Sequence, residues 1–329
     1  MRANWKTIVG ILISASFLYL AFRKVDLNEL KATFQAADYV YVVPSMLLIM
    51  ASVWFRTLRW RFLLKPVKTI PLPSLFSSTM IGLMANNLLP ARLGEFVRAY
   101  TVGVKERISK SSSLATIVVE RIFDGFTLLF FLAVISVFRA REYPPWLRHS
   151  AYIALSFYIC AAILLVLLKV RTEPALRILS ALTTPLPGRI RDRIIHLLHS
   201  FIEGLQVLHS TSDVLISAIL SLLVWLPYAV TIHLLLGSFD IVLPVQISFL
   251  VLVAMGIGVM IPSAPGYIGT IQFVCVAVLS AFSVTRDEAL SFSILYHVCT
   301  YIPVTAVGLI YLLIEGISFA EMRDSVKQT

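Results

Sequence analysis

The sequence is poor in charged residues and in cysteine. Only 14% of its 329 residues are charged, whereas 58% are hydrophobic. This balance argues against an ordinary soluble domain, and three cysteines without a paired spacing argue against a disulfide framework or a metal site. No nucleotide-binding motif is present, so ATP is not expected to drive the protein directly. We expect no cofactor and no bound metal.

Long apolar runs dominate the chain. Several of them reach about 20 residues, the length that a membrane-spanning helix needs. The alternating strands of about ten residues that a transmembrane barrel requires are absent. The sequence therefore predicts an all-α polytopic membrane protein, with residues 1–329 forming a single transmembrane domain. We expect about six full spans, at residues 5–22, 39–63, 112–138, 151–169, 213–236 and 289–315.

The formal net charge is +10, because 28 basic residues outnumber 18 acidic ones. Most of the basic residues lie between predicted spans, which the positive-inside rule explains better than nucleic-acid binding does. Arg56, Arg59 and Arg61, at the end of the second span, are interpreted in this way, and Trp60 is interpreted as an interfacial anchor. We expect the protein to lie in the cytoplasmic (inner) membrane with both termini cytoplasmic, and to bind no nucleic acid.

Residues 174–210 form a basic segment that we expect to be cytoplasmic. Their apolar residues recur at helical spacing from Ile190 to Leu208, which predicts an amphipathic helix. Such a helix could lie along the inner membrane surface or pack against the helical bundle, and both interpretations stay open.

A first broken segment covers residues 72–102. Its apolar run is interrupted by Asn86, Asn87 and Pro90, and a charged stretch follows at once. Polar, irregular backbone at membrane depth persists only where it is buried in protein or lines a wet cavity. Because basic residues flank the segment on both sides, it is predicted to be a re-entrant hairpin that enters and leaves at one face.

A second broken segment covers residues 245–283. Pro265 to Gly269 repeats the Pro-x-x-x-Gly pattern of Pro90 to Gly94. The charge distribution places the mouths of the two hairpins on opposite sides, as expected for an inverted-topology repeat, in which paired broken helices mark a central binding site. Chance recurrence of proline and glycine is the alternative.

The first hairpin carries a candidate anion site. Gly94 is expected to begin a returning half-helix, whose unpaired N–H groups and positive dipole end favour an anion. Arg92 and Arg98 bracket this point, and a guanidinium group suits a phosphate. Gly266 and Gly269 could begin a second such half-helix. The alternative is that both arginines face the cytoplasm or lipid phosphates at the interface.

Charged residues also occur inside the third span. Glu120, Arg121 and Asp124 lie within little more than one helical turn, so they must face the bundle interior and find partners there. They could form an ion-pair lock together with Glu95 and Arg98, or a relay that carries protons. In the last span, His297 is either a hydrogen-bonded core residue or a ligand.

The stretch from Asn87 to Arg98, followed by Glu120 to Asp124, resembles the flippase-like integral membrane family related to the transmembrane region of lysylphosphatidylglycerol synthases. Residues 262–269 are similar to the second motif of that family, and the resemblance covers nearly the whole chain. It implies a multi-span inner-membrane protein and the movement of a modified phospholipid between leaflets. The soluble aminoacyl-transfer domain of the best-understood relatives is not expected after the last span, so synthesis of an aminoacyl-lipid is not expected.

The leading hypothesis is a lipid translocase that moves a phosphate-bearing or modified polar lipid, with a lipid-synthesis enzyme as a possible partner. The alternatives are a membrane-embedded lipid-phosphate enzyme and a non-transporting accessory protein of an envelope-lipid pathway. Neither a catalytic nor a metal site is assigned. The candidate substrate-binding residues are Asn87, Pro90, Arg92, Gly94, Glu95, Arg98, Glu120, Arg121, Asp124, Pro265, Gly266, Gly269 and His297.

Overall fold

The computed structural model describes residues 5–23, 25–89, 93–139, 211–261 and 263–316, together with a few isolated positions between 149 and 188. Within these residues the protein is helical and contains no strand. The predicted fourth span and the cytoplasmic segment 174–210 lie almost wholly outside them. Pro90 and Arg92 also lie outside the described residues.

The helices of the described ranges are labelled in chain order. They are α1 (Trp5–Phe22), α2 (Leu27–Ala36), α3 (Val42–Leu64), α4 (Leu72–Leu88), α5 (Gly94–Glu106), α6 (Lys110–Arg139), α7 (Thr211–Gly237), α8 (Val245–Gly258), α9 (Thr270–Leu279) and α10 (Arg286–Ile314). Short 3₁₀ turns precede α3 and lie on both sides of α9.

Local sequence signals explain where two of the helices begin. At the start of α10, Thr285 Oγ1 accepts a hydrogen bond from the backbone N–H of Glu288 at 3.3 Å. In return, Glu288 Oε2 accepts one from the backbone N–H of Thr285 at 3.0 Å, which completes a capping box. Asp26 caps α2 through a 2.7 Å hydrogen bond from the backbone N–H of Asn28.

The length and apolarity of the described helices are those of a helical membrane protein. Four described segments are long and apolar enough to cross a membrane: Tyr39–Leu64, Ser212–Gly237, Pro265–Phe282 and Arg286–Ile314. Gly10–Phe22 and Val245–Gly258 are shorter apolar helices. Three of the four segments coincide closely with predicted full spans, whereas Pro265–Phe282 falls inside the predicted second hairpin. Helix α6 matches the predicted third span and carries its charged residues.

Helices α4 and α5 form an antiparallel pair that joins at the first break. Their backbones approach closely because both helices carry a glycine at the crossing: a Cβ added to Gly94 would lie 2.0 Å from the carbonyl oxygen of Gly82. At the other end of the pair, Lys105 Nζ donates a hydrogen bond to Ser77 Oγ at 2.8 Å. The crossing holds α4 and α5 close together along their length.

The second break lies between α8 and α9, which are also antiparallel. Gly258 on α8 packs against Val274 on α9, and Gly266 and Gly269 in the break have φ angles of 69° and 87°. These left-handed angles suit glycine, which has no Cβ. Helix α1 covers one side of the break, where the backbone N–H of Ala264 donates to Ser14 Oγ at 2.7 Å.

The largest apolar core joins α6, α7, α8, α9 and α10. A second core surrounds Trp60 and connects α3 with α5 and α6. Helices α3 and α7 are also tied by a buried hydrogen bond, in which Ser52 Oγ donates to the carbonyl oxygen of Val224 at 2.7 Å.

Candidate functional site

A cavity of about 540 Å³ lies where the two broken segments approach each other. Its volume falls within the range typical of small-molecule sites, about 300–1,000 Å³. One part of its lining is charged and polar and comes from α3, α4, α5 and α6. The residues in this part are Arg56, Asn86, Asn87, Glu95, Arg121 and Asp124.

The rest of the lining is aromatic and apolar. Its apolar residues include Leu83, Leu252 and Met255. Such a surface suits hydrocarbon or flat polar groups, whereas the charged part suits an ion. The aromatic and polar residues in this part are Trp225, Tyr228, Tyr267, Tyr296, His297, Thr300 and Tyr301.

The last turn of α4 contacts the second break at the edge of the cavity. A Cβ added to Gly266 would lie 2.7 Å from the ring of Tyr301 and 3.3 Å from the carbonyl oxygen of Asn87. The Asn87 side chain donates a 2.9 Å hydrogen bond to Thr305 Oγ1 on α10. The cavity is therefore shared by both broken segments and by the last helix.

Beneath the cavity, one carboxylate oxygen binds several guanidinium groups. Oε1 of Glu120 accepts hydrogen bonds from Arg56 and Arg98, each at 3.0 Å. The same oxygen lies 3.2 Å from Nη2 of Arg121 and 3.3 Å from Nη2 of Arg59. Glu120 is fully buried, so it acts as the electrostatic centre that holds α3, α5 and α6 together.

Asp124, one turn after Glu120, has partners at both of its oxygens. Oδ1 accepts from Arg59 Nη1 at 2.8 Å and from the indole N–H of Trp225 at 2.9 Å. Oδ2 lies 3.4 Å from Arg56 and 3.1 Å from Arg121. Asp124 therefore links the charged part of the cavity to the aromatic part.

Arg121 is the most accessible arginine of this cluster. Its side chain is 39% exposed, whereas those of Arg56, Arg59 and Arg98 are at most 6% exposed. Nε of Arg121 lies 3.1 Å from Oε1 of Glu95, at the start of α5. An anion that enters the cavity can therefore reach Arg121 more easily than the other guanidinium groups.

The positive-inside rule does not explain why Arg56 and Arg59 are present, because both are buried and paired with Glu120 and Asp124. Two arginines one turn apart in an apolar helix need acidic partners, and that signal could have identified them. Trp60 is not an interfacial anchor either, because it is fully buried and lies 3.7 Å beneath the guanidinium carbon of Arg98.

Helix α5 begins at Gly94 as predicted, but the first N–H of this half-helix has a partner in the protein. The N–H of Gly94 donates to Asn86 Oδ1 at 2.9 Å, and Glu95 supplies a negative charge in the first turn of α5. The N–H of Gly269 likewise donates to Gln272 Oε1 at 2.8 Å. Because side chains of the protein already bind these N–H groups, the guanidinium groups are the main candidates for binding an anion.

The structure brings some of the predicted site residues to the cavity and places others behind it. Asn87, Glu95, Arg121, Asp124, Gly266 and His297 line the cavity. Arg98 and Glu120 lie in the buried cluster, Gly94 lies at the crossing of α4 and α5, and Gly269 packs against Ser14 and Leu18 of α1. Pro265 begins the 3₁₀ turn of the second break.

His297 is held by its neighbours at the cavity edge. Its Nδ1 lies 3.1 Å from Gln272 Nε2, and its ring packs edge-on against Tyr301. This environment is typical of a hydrogen-bonded core histidine that also contributes to the lining. Among the described residues, no group of three or more His, Cys, Asp or Glu side chains is arranged to hold a metal ion.

The sequence also matches a known protein family. The family model described as "Lysylphosphatidylglycerol synthase TM region" matches residues 7–308. A UPF0104 membrane protein from Methanothermobacter thermautotrophicus is 24% identical over 95% of this chain and 96% of its own length. Another from Methanocaldococcus jannaschii is 24% identical over 94% of this chain and 95% of its own.

A third relative is larger. Glycosyltransferase AglD from Haloferax volcanii is 28% identical over 131 residues, which make up 40% of this chain and 21% of AglD. The similarity therefore involves one part of that enzyme.

Proposed function

The chain belongs to the lysylphosphatidylglycerol synthase TM region family, and from this premise we propose that it is a lipid translocase. Its substrate would be a phosphate-bearing or modified polar lipid that moves between leaflets of the cytoplasmic membrane. The observation that carries the proposal is the cavity between the two helix breaks, with Arg56 and Arg121 on one side and aromatic residues on the other.

The physical task of a translocase explains why such a cavity is needed. A polar headgroup that crosses hydrocarbon alone loses its hydrogen bonds with water, at a cost of several kcal/mol for each unsatisfied group. The cavity supplies replacement partners through guanidinium, amide and hydroxyl groups, while the acyl or prenyl chains remain in the bilayer. The phosphate would bind Arg121 and Arg56, and Trp225 and Tyr228 would contact the rest of the headgroup.

The proposal includes the membrane arrangement. Helices α4, α5 and α8 are 17, 13 and 14 residues long, shorter than the roughly 20 residues of a full span. These lengths support a re-entrant hairpin at 72–102, whereas in the second broken segment Pro265–Phe282 is long enough to cross on its own. The proposal keeps 245–283 as a second re-entrant hairpin, related to the first as an inverted repeat around the cavity. Six full spans would complete the bundle, with both termini in the cytoplasm.

A membrane-embedded enzyme that uses Glu120 or Asp124 as a general base is the competing function. A base needs a free lone pair within reach of the substrate. Both oxygens of Asp124 are bound by protein groups, and Glu120 is fully buried outside the cavity lining. These contacts favour a translocase. The proposal also includes a lipid-synthesis enzyme as a partner.

Leaflet exchange in proteoliposomes tests the function. Purified protein would be reconstituted with a panel of labelled lipids, and exchange would be measured for wild type and for Arg121→Gln. We expect one lipid class to exchange with wild type and exchange to fall at least about tenfold in the variant, the effect of losing one charge-assisted contact. Arg286→Gln is the matched control, because Arg286 is exposed at the start of α10 and does not line the cavity.

Two results would overturn the proposal. Full exchange by a folded Arg121→Gln variant would show that the lipid headgroup does not pass through the cavity. Chemical conversion of a lipid by the purified protein, without exchange, would support the enzyme instead.

A further inference from the structure

Building on the proposed function, we propose that the cavity selects a headgroup with one negative charge, a phosphodiester, and that Glu95 sets this selectivity. A phosphomonoester, which carries close to two negative charges above neutral pH, would be disfavoured.

The charges of the described cluster do not balance. Four guanidinium groups face three carboxylates through ion pairs of 3.4 Å or less, which leaves one positive charge. The positive groups are Arg56, Arg59, Arg98 and Arg121, and the negative groups are Glu95, Glu120 and Asp124.

Some buried groups of the cluster have no hydrogen-bond partner within the described residues. Nε and Nη2 of Arg98 donate to no group there, and Oε2 of Glu120 accepts from none. A charge taken out of water without a full set of partners is costly. A bound ligand with one negative charge would neutralise the cluster. It would thereby lower the free-energy cost of burying the surplus positive charge in the folded protein.

The accessibility of the arginine side chains restricts where a ligand can bind. Arg121 is the most exposed arginine of the cluster, and its Nε already lies 3.1 Å from Oε1 of Glu95. The Glu95 side chain is 27% exposed and also lines the cavity. A bound phosphate would therefore lie beside the Glu95 carboxylate, on the same guanidinium group.

The carboxylate of Glu95 determines which ligand charge the cavity prefers. Against a surplus of one positive charge, a monoanion reaches neutrality, whereas a dianion brings one negative charge too many next to Glu95. Without the Glu95 charge, the cluster would have a surplus of two and would suit a dianion. Glu95 thus acts as a specificity-determining residue that discriminates by charge and not by shape.

A binding experiment with defined lipids tests the proposal. Phosphatidylglycerol, a phosphodiester, and phosphatidic acid, a phosphomonoester, would be added with identical acyl chains to the purified full chain in detergent at about pH 8. Binding is read from the rise in melting temperature as the lipid fraction increases. The variants are Glu95→Gln and, as matched control on the same helix, Glu106→Gln, which lies outside the cavity and pairs with Lys68.

We expect wild type and Glu106→Gln to bind phosphatidylglycerol about tenfold more tightly than phosphatidic acid. In Glu95→Gln this ratio should fall to about one or reverse, because removing a nearby charge favours the dianion twice as much as the monoanion. An unchanged ratio in Glu95→Gln, or equal binding of both lipids by wild type, would overturn the charge rule and leave the translocase proposal intact.

The remaining outcomes separate the two proposals. Binding with the expected ratios but no leaflet exchange of any lipid would support the charge rule and overturn the translocase. Absence of binding of both lipids by a folded wild type would overturn the phosphate site, and with it the charge rule.

Discussion

Nη1 of Arg98 on α5 lies 3.0 Å from Oε1 of Glu120 on α6, and both side chains are buried beneath the cavity. The pair joins the returning arm of the first broken segment to the charged face of α6. The guanidinium group of Arg98 also stacks on Trp60, which fixes it from the other side. This arrangement favours an ion-pair lock over a proton relay at Glu120, because the carboxylate is held by several guanidinium groups and has no exposed surface.

The lock predicts a large loss of stability on removing its centre. Glu120→Gln keeps the size of the side chain but leaves the buried guanidinium groups without their shared counter-charge. We expect unfolding to become easier by about 3–5 kcal/mol, measured by thermal unfolding in detergent. Glu29→Gln, an exposed position on α2, should leave the melting temperature nearly unchanged. A stable Glu120→Gln variant would show that the buried charges have other partners.

The crossing of α4 and α5 predicts a second effect. In Gly94→Ala the new methyl group would overlap the carbonyl oxygen of Gly82, so the helices must separate. Overpacking of this kind costs about 1–3 kcal/mol, and the displaced α5 should also lower leaflet exchange. Gly237→Ala is the control, because a Cβ at that position meets its nearest atom at 3.9 Å. Equal melting temperatures for the two variants would contradict the close crossing.

The contact between α4 and the second break can be tested at Gly266. Gly266→Ala should reduce exchange because the methyl group would meet the Tyr301 ring at 2.7 Å, and the residue must also keep a φ of 69°. Gly316→Ala separates these causes, since Gly316 has a φ of 64° but no atom within 4 Å of an added Cβ. We expect both variants to lose about 1–2 kcal/mol from backbone strain, and only Gly266→Ala to lose exchange. Loss of exchange in both would point to a general effect of stability.

A pH effect is expected outside the membrane segments, at the end of α5. Burial raises the pKa of Glu106, but the nearby Ser74 hydroxyl and Lys68 ammonium group outweigh it and keep the pKa below its ordinary value. The ionised carboxylate therefore stabilises the folded state near neutral pH, and this contribution is lost as the pH falls through the lowered pKa. Melting temperatures measured from about pH 7 down to about pH 3 should fall less for Glu106→Gln than for wild type. Parallel curves for the two proteins would contradict this assignment.

The helices and their breaks could largely be predicted from local patterns. The predicted spans 5–22 and 213–236 differ from α1 and α7 by at most two residues at either end, because long apolar runs leave little choice of secondary structure in a membrane. The interruptions at Asn86 to Gly94 and at Pro265 to Gly269 were also recognisable, since proline, glycine and asparagine end helices by local chemistry. The family resemblance came from the same stretches and is confirmed by the match over residues 7–308.

The partners of the charged residues depended on the three-dimensional arrangement. Glu120 and Asp124 indicated that α6 has cationic partners. The sequence did not show which cations these are, because Arg56 lies 64 residues away from Glu120 along the chain. Gly269 likewise lies against α1 instead of lining the cavity, and this depends on where α1 packs. Periodicity and composition act over a few residues, whereas the pairing of buried charges is decided by which helices become neighbours. The amino-acid sequence by itself thus determined a membrane protein with broken helices and buried charges. The packing of α3 against α5, α6 and α7 determined which of these charges pair with each other and that Arg121 is exposed to the cavity.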